Sequence, residues 1–235
     1  MENVNLDTYL DNHFINRSNW VRAAVLGAND GIISVSSLAI GVAAASATRE
    51  PVLLATVAGL VAGALSMAAG EYVSVSSQTD IESADIAREA EELEEFPELE
   101  LQLLAKIYEE RGLKKETAMQ VALEFTAHDA LAAHVRDELG INEISQANPI
   151  QAALASGASF LIGGGLPLAV IILATLENME GALYISTIIS LVILGAVSAK
   201  AGGASMVKAS VRVAIWGTIA MVLSGLVGYI FGVNL

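Results

Sequence analysis

Cysteine is absent. That excludes disulfides, thiolate nucleophiles and Cys-ligated zinc or iron–sulfur sites, and it leaves the redox compartment unread. Positive charge is scarce: Lys and Arg together number 12 among 235 residues. Contact with a phosphate backbone needs a basic face, so the composition argues against nucleic-acid binding. Aromatic residues make up 5% and charged residues 16%, yet the formal net charge is −14. So few charges give so large an imbalance only if the acids are concentrated in one region. What fills the chain is aliphatic. Hydrophobic residues reach 54% with 20 glycines besides, and the mean hydropathy is +0.58. Ala, Val, Ile, Leu and Gly in excess suit close helix packing in lipid.

A bilayer core of about 30 Å takes about 20 apolar residues in a helix. Five stretches qualify: 21–47, 52–75, 150–176, 183–199 and 211–233. A soluble protein would have to bury helices that are apolar all round, so the expected fold is all-α, a polytopic membrane protein with five transmembrane helices. No basic segment leads into a short apolar core near the start, so the first span is expected to remain in the mature protein. With the N-terminus in the cytosol, the inner segments hold Arg17, Arg22, six bases within 77–148, Lys200, Lys208 and Arg212, while Arg49 alone lies outside. This asymmetry predicts N-terminus in and C-terminus out.

Three segments follow: 1–76 with spans one and two, 77–148 as a cytosolic acidic unit, and 149–235 with spans three to five. The middle segment carries 18 acids and 6 bases, a net −12. It reads as three amphipathic helices forming a cytosolic acidic cap. The first, Thr79 to Glu95, continues the second span and stops at Phe96-Pro97. The second is Pro97 to Arg111, and the third is Lys115 to Leu139 with a break expected near Thr126. Glu82, Asp85, Glu89 and Glu92 are spaced 3, 4 and 3 apart, on one helix face. Like charges so spaced destabilise a helix unless neutralised. The row is either a solvated acidic face or a set of oxygen ligands for a divalent cation. Glu98 and Glu100 can face the same row. His134 and Glu138, four apart, share a face and add an imidazole, and His128 is a weaker candidate. No EF-hand, HExxH or ExxH spacing is present, which argues against a di-iron oxidase.

Within the spans, Asp30 lies eight residues past Arg22, roughly 12 Å into the bilayer. A carboxylate there costs about 2.5–3.5 kcal/mol to insert and marks an ion or proton route by default; the alternative is a structural helix–helix hydrogen bond. Asn29 and Gly31 flank it, so the helix is expected to open locally, with Ser34, Ser36 and Ser37 satisfying freed backbone groups. Met67 reaches a similar depth on the second span, with Glu71 one turn nearer the cytosol. Carboxylates alone suit Ca²⁺ or Mg²⁺, and a thioether shifts preference toward softer transition metals; the bland reading of Met67 is a gap-filler. Small residues at Gly59 and Gly63, Ala64 and Ala68, and 195–205 allow close helix approach. Gly163-Gly164-Gly165 before Pro167 lacks the Lys-Ser/Thr of a phosphate loop and reads as a bend or tight packing.

Arg22-Ala-Ala-Val-Leu-Gly-Ala-Asn-Asp-Gly-Ile-Ile-Ser34 and Ala64-Leu-Ser-Met-Ala-Ala-Gly-Glu-Tyr-Val-Ser-Val75 resemble the vacuolar iron transporter family, and the likeness runs from His13 to the C-terminus. The resemblance implies five spans, a homodimer and a cytosolic metal-binding domain between spans two and three. It implies export of Fe²⁺, often with Mn²⁺, from the cytosol to a vacuole or the exterior against protons, and no enzyme activity. Asp30 and Met67 fall on the family's pore positions, and Glu89, Glu92, Glu100 and Glu138 on its domain-ligand positions. Two positions depart from the plant pattern, Leu103 for an acid and His134-Val135 for a methionine pair. A histidine ligand favours Zn²⁺, Co²⁺ or Ni²⁺ more than the family norm.

The expected partners are therefore divalent metals, protons, the lipid bilayer and a second copy of the chain. The expected site is a prokaryotic cytoplasmic membrane, or a vacuolar one in a eukaryote. Two rivals remain at this point, a membrane-tethered metal buffer or sensor that moves nothing, and a membrane ferroxidase.

Overall fold

The computed structural model describes residues 19–46, 48–141 and 148–232. The polar N-terminal residues through Arg17, together with Ala47, Glu143 and Val233, lie outside the described residues. Seven α-helices follow in order: α1 Asn19–Ala45, α2 Arg49–Glu95, α3 Pro97–Glu110, α4 Lys115–Asp137, α5 Pro149–Leu173, α6 Met179–Ala201 and α7 Met206–Gly232. A 3₁₀ turn, Leu176–Asn178, joins α5 to α6, and the described residues contain no strand. Five of these helices are long and apolar enough to cross a membrane: α1, α2, α5, the turn with α6, and α7. The chain divides into two compact units, Met1–Val73 with Asn148–Leu235, and Ser74–Ala147.

In the first unit α1 packs along α5, α7 and α6. Glycine makes its contact with α5 possible. A Cβ at Gly31 would collide with the Phe160 carbonyl, and one at Gly163 with the Ala28 carbonyl. The two backbones therefore touch directly, the small-residue packing that replaces the hydrophobic drive in lipid. α1 is continuous through Asn29-Asp30-Gly31, so the expected local opening does not occur. Gly31 serves packing there, and the Ser34 hydroxyl donates to the Asp30 carbonyl (2.6 Å) within an intact helix. Gly163 and Gly164 likewise sit in tight packing inside a helix that runs on through Pro167.

Ala39, Ile40, Ala43, Val52, Ile171, Leu183 and Met221 form the main apolar cluster. The Ser36 hydroxyl accepts from Thr187 (2.7 Å), both buried. Arg49, the one basic residue expected outside, donates to the Ile172 and Ala174 carbonyls and so caps the C-terminus of α5. Elsewhere the helices turn large apolar side chains outward: Leu54 is 72% exposed on α2, Ile162 76% on α5 and Val207 74% on α7. Such surfaces are stable only against lipid or another protein, and with the five spans they make this an integral membrane protein. The fourth span is longer than 183–199, because α6 starts at Met179 and ends at Ala201.

The second unit contains the C-terminal part of α2, with α3 and α4. Pro97 begins α3, and Gly112, at φ 101° in the left-handed region, turns the chain after it. Leu104, Ala105 and Tyr108 of α3 pack on Ala118, Ala122 and Ala133 of α4. α4 does break, but at Asp129 (φ −163°, ψ 96°) rather than near Thr126. The Asp129 carboxylate accepts the Ala132 N–H (2.9 Å), acting as an N-cap for the second limb.

Candidate metal-binding sites

In the second unit α2 supplies Glu89, α3 supplies Glu100, and α4 supplies His134 and Glu138. One ligand atom from each lies within 4.8 Å of all the others. Glu89, Glu100 and His134 are all but inaccessible, at 2%, 4% and 0% exposed. His134 Nδ1 is 2.9 Å from both Glu89 Oε1 and Glu138 Oε2, and 3.9 Å from Glu100 Oε2. One N–H shared between two carboxylates bonds each of them only weakly. The contact with Glu138 has hydrogen-bond geometry, whereas Glu89 Oε1 has no hydrogen-bond partner despite its proximity. The four side chains thus point at a common centre more than at one another. Burial raises the Glu89 and Glu100 carboxyls above their ordinary value; the Glu138 charge adds to the rise and His134 opposes it. Both residues belong to helical segments beyond the apolar spans.

Three carboxylates and an imidazole suit a divalent transition metal, since imidazole and carboxylate together serve iron, manganese and zinc. A ligating histidine normally donates its second N–H to an acceptor. His134 Nε2 is buried with no partner among the described residues. The other acids of the expected row do not contribute a ligand atom to this group. Glu82 accepts from Gln78 (2.8 Å). Asp85 and Glu92 flank Arg88, at 3.4 and 3.8 Å. That pairing was legible, because Arg88 lies three residues from Asp85 and four from Glu92. Glu98 is exposed. His128 lines a separate cavity with Glu124, Phe125 and Arg136, outside the group of four.

A latch the sequence did not reveal holds α3 to α4 beside the cluster. Asp137 accepts from the Tyr108 hydroxyl (2.7 Å), from Arg111 (2.5 Å) and from its neighbour Arg136 (2.6 Å). Burial alone would raise this carboxyl, but the hydrogen bonds from Arg136, Arg111 and Tyr108 outweigh it and hold it at about 2. The latch fixes the backbone next to Glu138. No local spacing pairs Tyr108 or Arg111 with a residue 26 to 29 positions away.

The first unit holds a cleft of about 230 Å³. Asp30 and Ser34 line it from α1, Gly63, Ser66 and Met67 from α2, and Phe160 from α5. Asp30 and Met67 therefore face one space, with two hydroxyls as further oxygen donors. Ser66 was not singled out in the sequence, although it neighbours Met67. Glu71 is half-buried one turn on and is not among the lining residues.

A profile described as the VIT family matches residues 21–229. The chain belongs to the VIT family. Among similar proteins, the "Vacuolar iron transporter" of Acanthamoeba castellanii is 46% identical over 214 residues, covering 90% of this chain and 78% of the relative. "Vacuolar iron transporter homolog 2.1" of Arabidopsis thaliana is 37% identical over 213 residues, 90% and 81%. "Vacuolar iron transporter homolog 1" of Oryza sativa subsp. japonica is 35% identical over 223 residues, 94% and 78%. The VIT match spans both candidate sites. The α1 segment carrying Asp30 and the α2 segment carrying Met67 and Glu71 both lie within the matched residues.

Proposed function

We propose that this VIT-family protein exports Fe²⁺, together with Mn²⁺, from the cytosol in exchange for protons. The carrying observation is the shared cleft of Asp30 and Met67 on two spanning helices, because a buffer has no use for a carboxylate within lipid. The relatives named as iron transporters support the cargo class. In this reading the 74–147 unit is a cytosolic acidic cap, with the N-terminus inside and the C-terminus outside, as the basic residues are distributed. Its cluster Glu89, Glu100, His134 and Glu138 gathers the ion, and Glu82, Asp85 and Glu92 raise its local concentration. Glu71, Asp30 and Met67 then pass it through the membrane. Protons arriving from the outer side compete for the same carboxylates and release the metal, so exchange follows from ligand chemistry. A homodimer would cover part of the outward apolar face of α2. His134 extends the cargo toward Zn²⁺, Co²⁺ and Ni²⁺.

The test is Fe²⁺ uptake into proteoliposomes carrying a pH-sensitive dye. Metal entry with proton exit supports export, and Asp30→Ala should abolish both in a protein that still elutes as the wild type does. Full flux in that variant overturns the pore assignment. The second reading, a tethered metal buffer or sensor, draws on the buried four-residue cluster, and binding without flux would establish it. Oxygen-dependent formation of Fe³⁺ would instead point to a ferroxidase.

A further inference from the structure

From Gly181 to Leu235 the chain contains no Asp or Glu, and its only charges are Lys200, Lys208 and Arg212. In a chain of net −14, this stretch is a local inversion of sign. Lys200 lies in the last turn of α6, and Lys208 and Arg212 in the first two turns of α7, so all three sit at the end of the bundle where the 202–205 turn joins these helices. Lys208 and Arg212 are exposed and form no ion pair among the described residues. They are four apart, on one helix face. Val207, Val211, Ile215 and Trp216 complete a groove of about 430 Å³ with them on the outer side of α7. Trp216 is 64% exposed and Val211 and Ile215 are each 52% exposed, so no described residue of the same unit covers the groove.

We propose that this groove is a binding site for an anionic phospholipid. The cations hold the headgroup phosphate, and the Val211, Ile215 and Trp216 side chains receive the acyl chain. The order along the helix matches the order within a lipid. Charge stands at the end of the span, and apolar and indole surface follows roughly 5 to 12 Å further in, where Trp favours the membrane interface. Basic pockets at this level recognise anionic headgroups. A metal cargo is excluded, because two unpaired cations repel it. A zwitterionic lipid fits poorly, because its own cation would face Lys208 and Arg212, which have no acid partner among the described residues. The site rests only on α7 being a membrane span and is independent of the transport reading.

The experiment uses the full chain in mild detergent, titrated separately with phosphatidylglycerol and phosphatidylcholine, with retained lipid read by native mass spectrometry. Wild type should retain phosphatidylglycerol in preference to phosphatidylcholine. In the double variant K208Q/R212Q, phosphatidylglycerol retention should weaken by about thirty-fold, from about five-fold per cation. K208R/R212K, which keeps both charges, should retain it as wild type does and controls for folding. Equal retention of the two lipids, or equal retention by wild type and K208Q/R212Q, overturns the proposal. Displacement of the lipid by excess inorganic phosphate would make the site one for free anions and also overturns it. So does a change of oligomeric state in K208Q/R212Q, which would assign the groove to a second copy of the chain.

Discussion

At the scale of single residues, His134 is the side chain on which the polar cluster turns. Its Nδ1 meets two carboxylate oxygens at the same distance, an arrangement stable only with a proton or a cation between them. His134→Ala should weaken Mn²⁺ or Fe²⁺ binding by at least about ten-fold, by comparison with losses seen for residues merely supporting a ligand, in calorimetric titration of the full chain. The pH dependence has a definite sign. Glu89 and Glu100 have raised carboxyl values in the metal-free fold, for which burial is the first cause. They therefore take up protons that a metal must displace, so binding should release protons and tighten as pH rises through that raised range. Titrations in buffers of different ionisation enthalpy measure the release directly. Asp137 behaves in the opposite sense. Its carboxyl is depressed to about 2, so its contribution to stability is complete above the ordinary carboxylate value and is lost as pH falls toward 2. Replacing it by Ala should cost about 2 kcal/mol, the worth of charge-assisted hydrogen bonds, measured by thermal unfolding at neutral pH. Below about pH 2 the variant and the wild type should converge.

Among the helices, the α1–α5 contact carries the clearest expectation. At Gly163 any side chain meets the Ala28 carbonyl, and a main-chain atom in a packed helix cannot rotate away. Gly163→Val should destabilise the protein by about 1–3 kcal/mol or more, read as a lower thermal midpoint and a broadened elution profile in detergent. Gly165 on the same helix has nothing within reach of a Cβ, so Gly165→Ala should be tolerated. The pair separates backbone proximity from any general effect of removing glycine from a span. Uninterrupted apolar length located the five long apolar helices, since a run of some 20 aliphatic residues satisfies its backbone in lipid as a helix. The break in α4 was displaced by three residues because a cap depends on which carboxylate reaches a free N–H. Asp129 does so, and no composition rule marks it. The expected opening of α1 at Asn29–Gly31 failed for a related reason. Glycine permits an irregular backbone, but it also permits contact, and the neighbouring helix decided between them.

For the whole molecule, the two candidate sites should separate functionally. If the 74–147 unit concentrates metal and the membrane carboxylate carries it, Asp30→Ala should eliminate flux at every metal concentration. Glu89→Gln with Glu92→Gln should slow uptake at low metal and approach wild-type rates when metal is saturating. Concentration series in proteoliposomes measure the difference as a change in half-saturation against a change in maximal rate. A uniform loss in both variants would mean that the two sites do not act as collector and carrier.

The amino-acid sequence alone determined what depends on the local sum of transfer free energies: five apolar spans and a segregated acidic segment, with an acid and a thioether inside two of the spans. It also placed Glu89, Glu100, His134 and Glu138 among the candidates, because residue type limits which atoms can hold a metal. Tertiary structure decided which of these converge. Helical spacing puts Glu82, Asp85, Glu89 and Glu92 on one broad face, but only Glu89 is buried, while Asp85 and Glu92 stay partly exposed beside Arg88. Likewise the Asp137 latch and the cleft joining Asp30 to Met67 depend on contacts between residues far apart in the chain. Such contacts follow from how side-chain volumes fit between helices, a property of the assembled core that no short window of sequence contains.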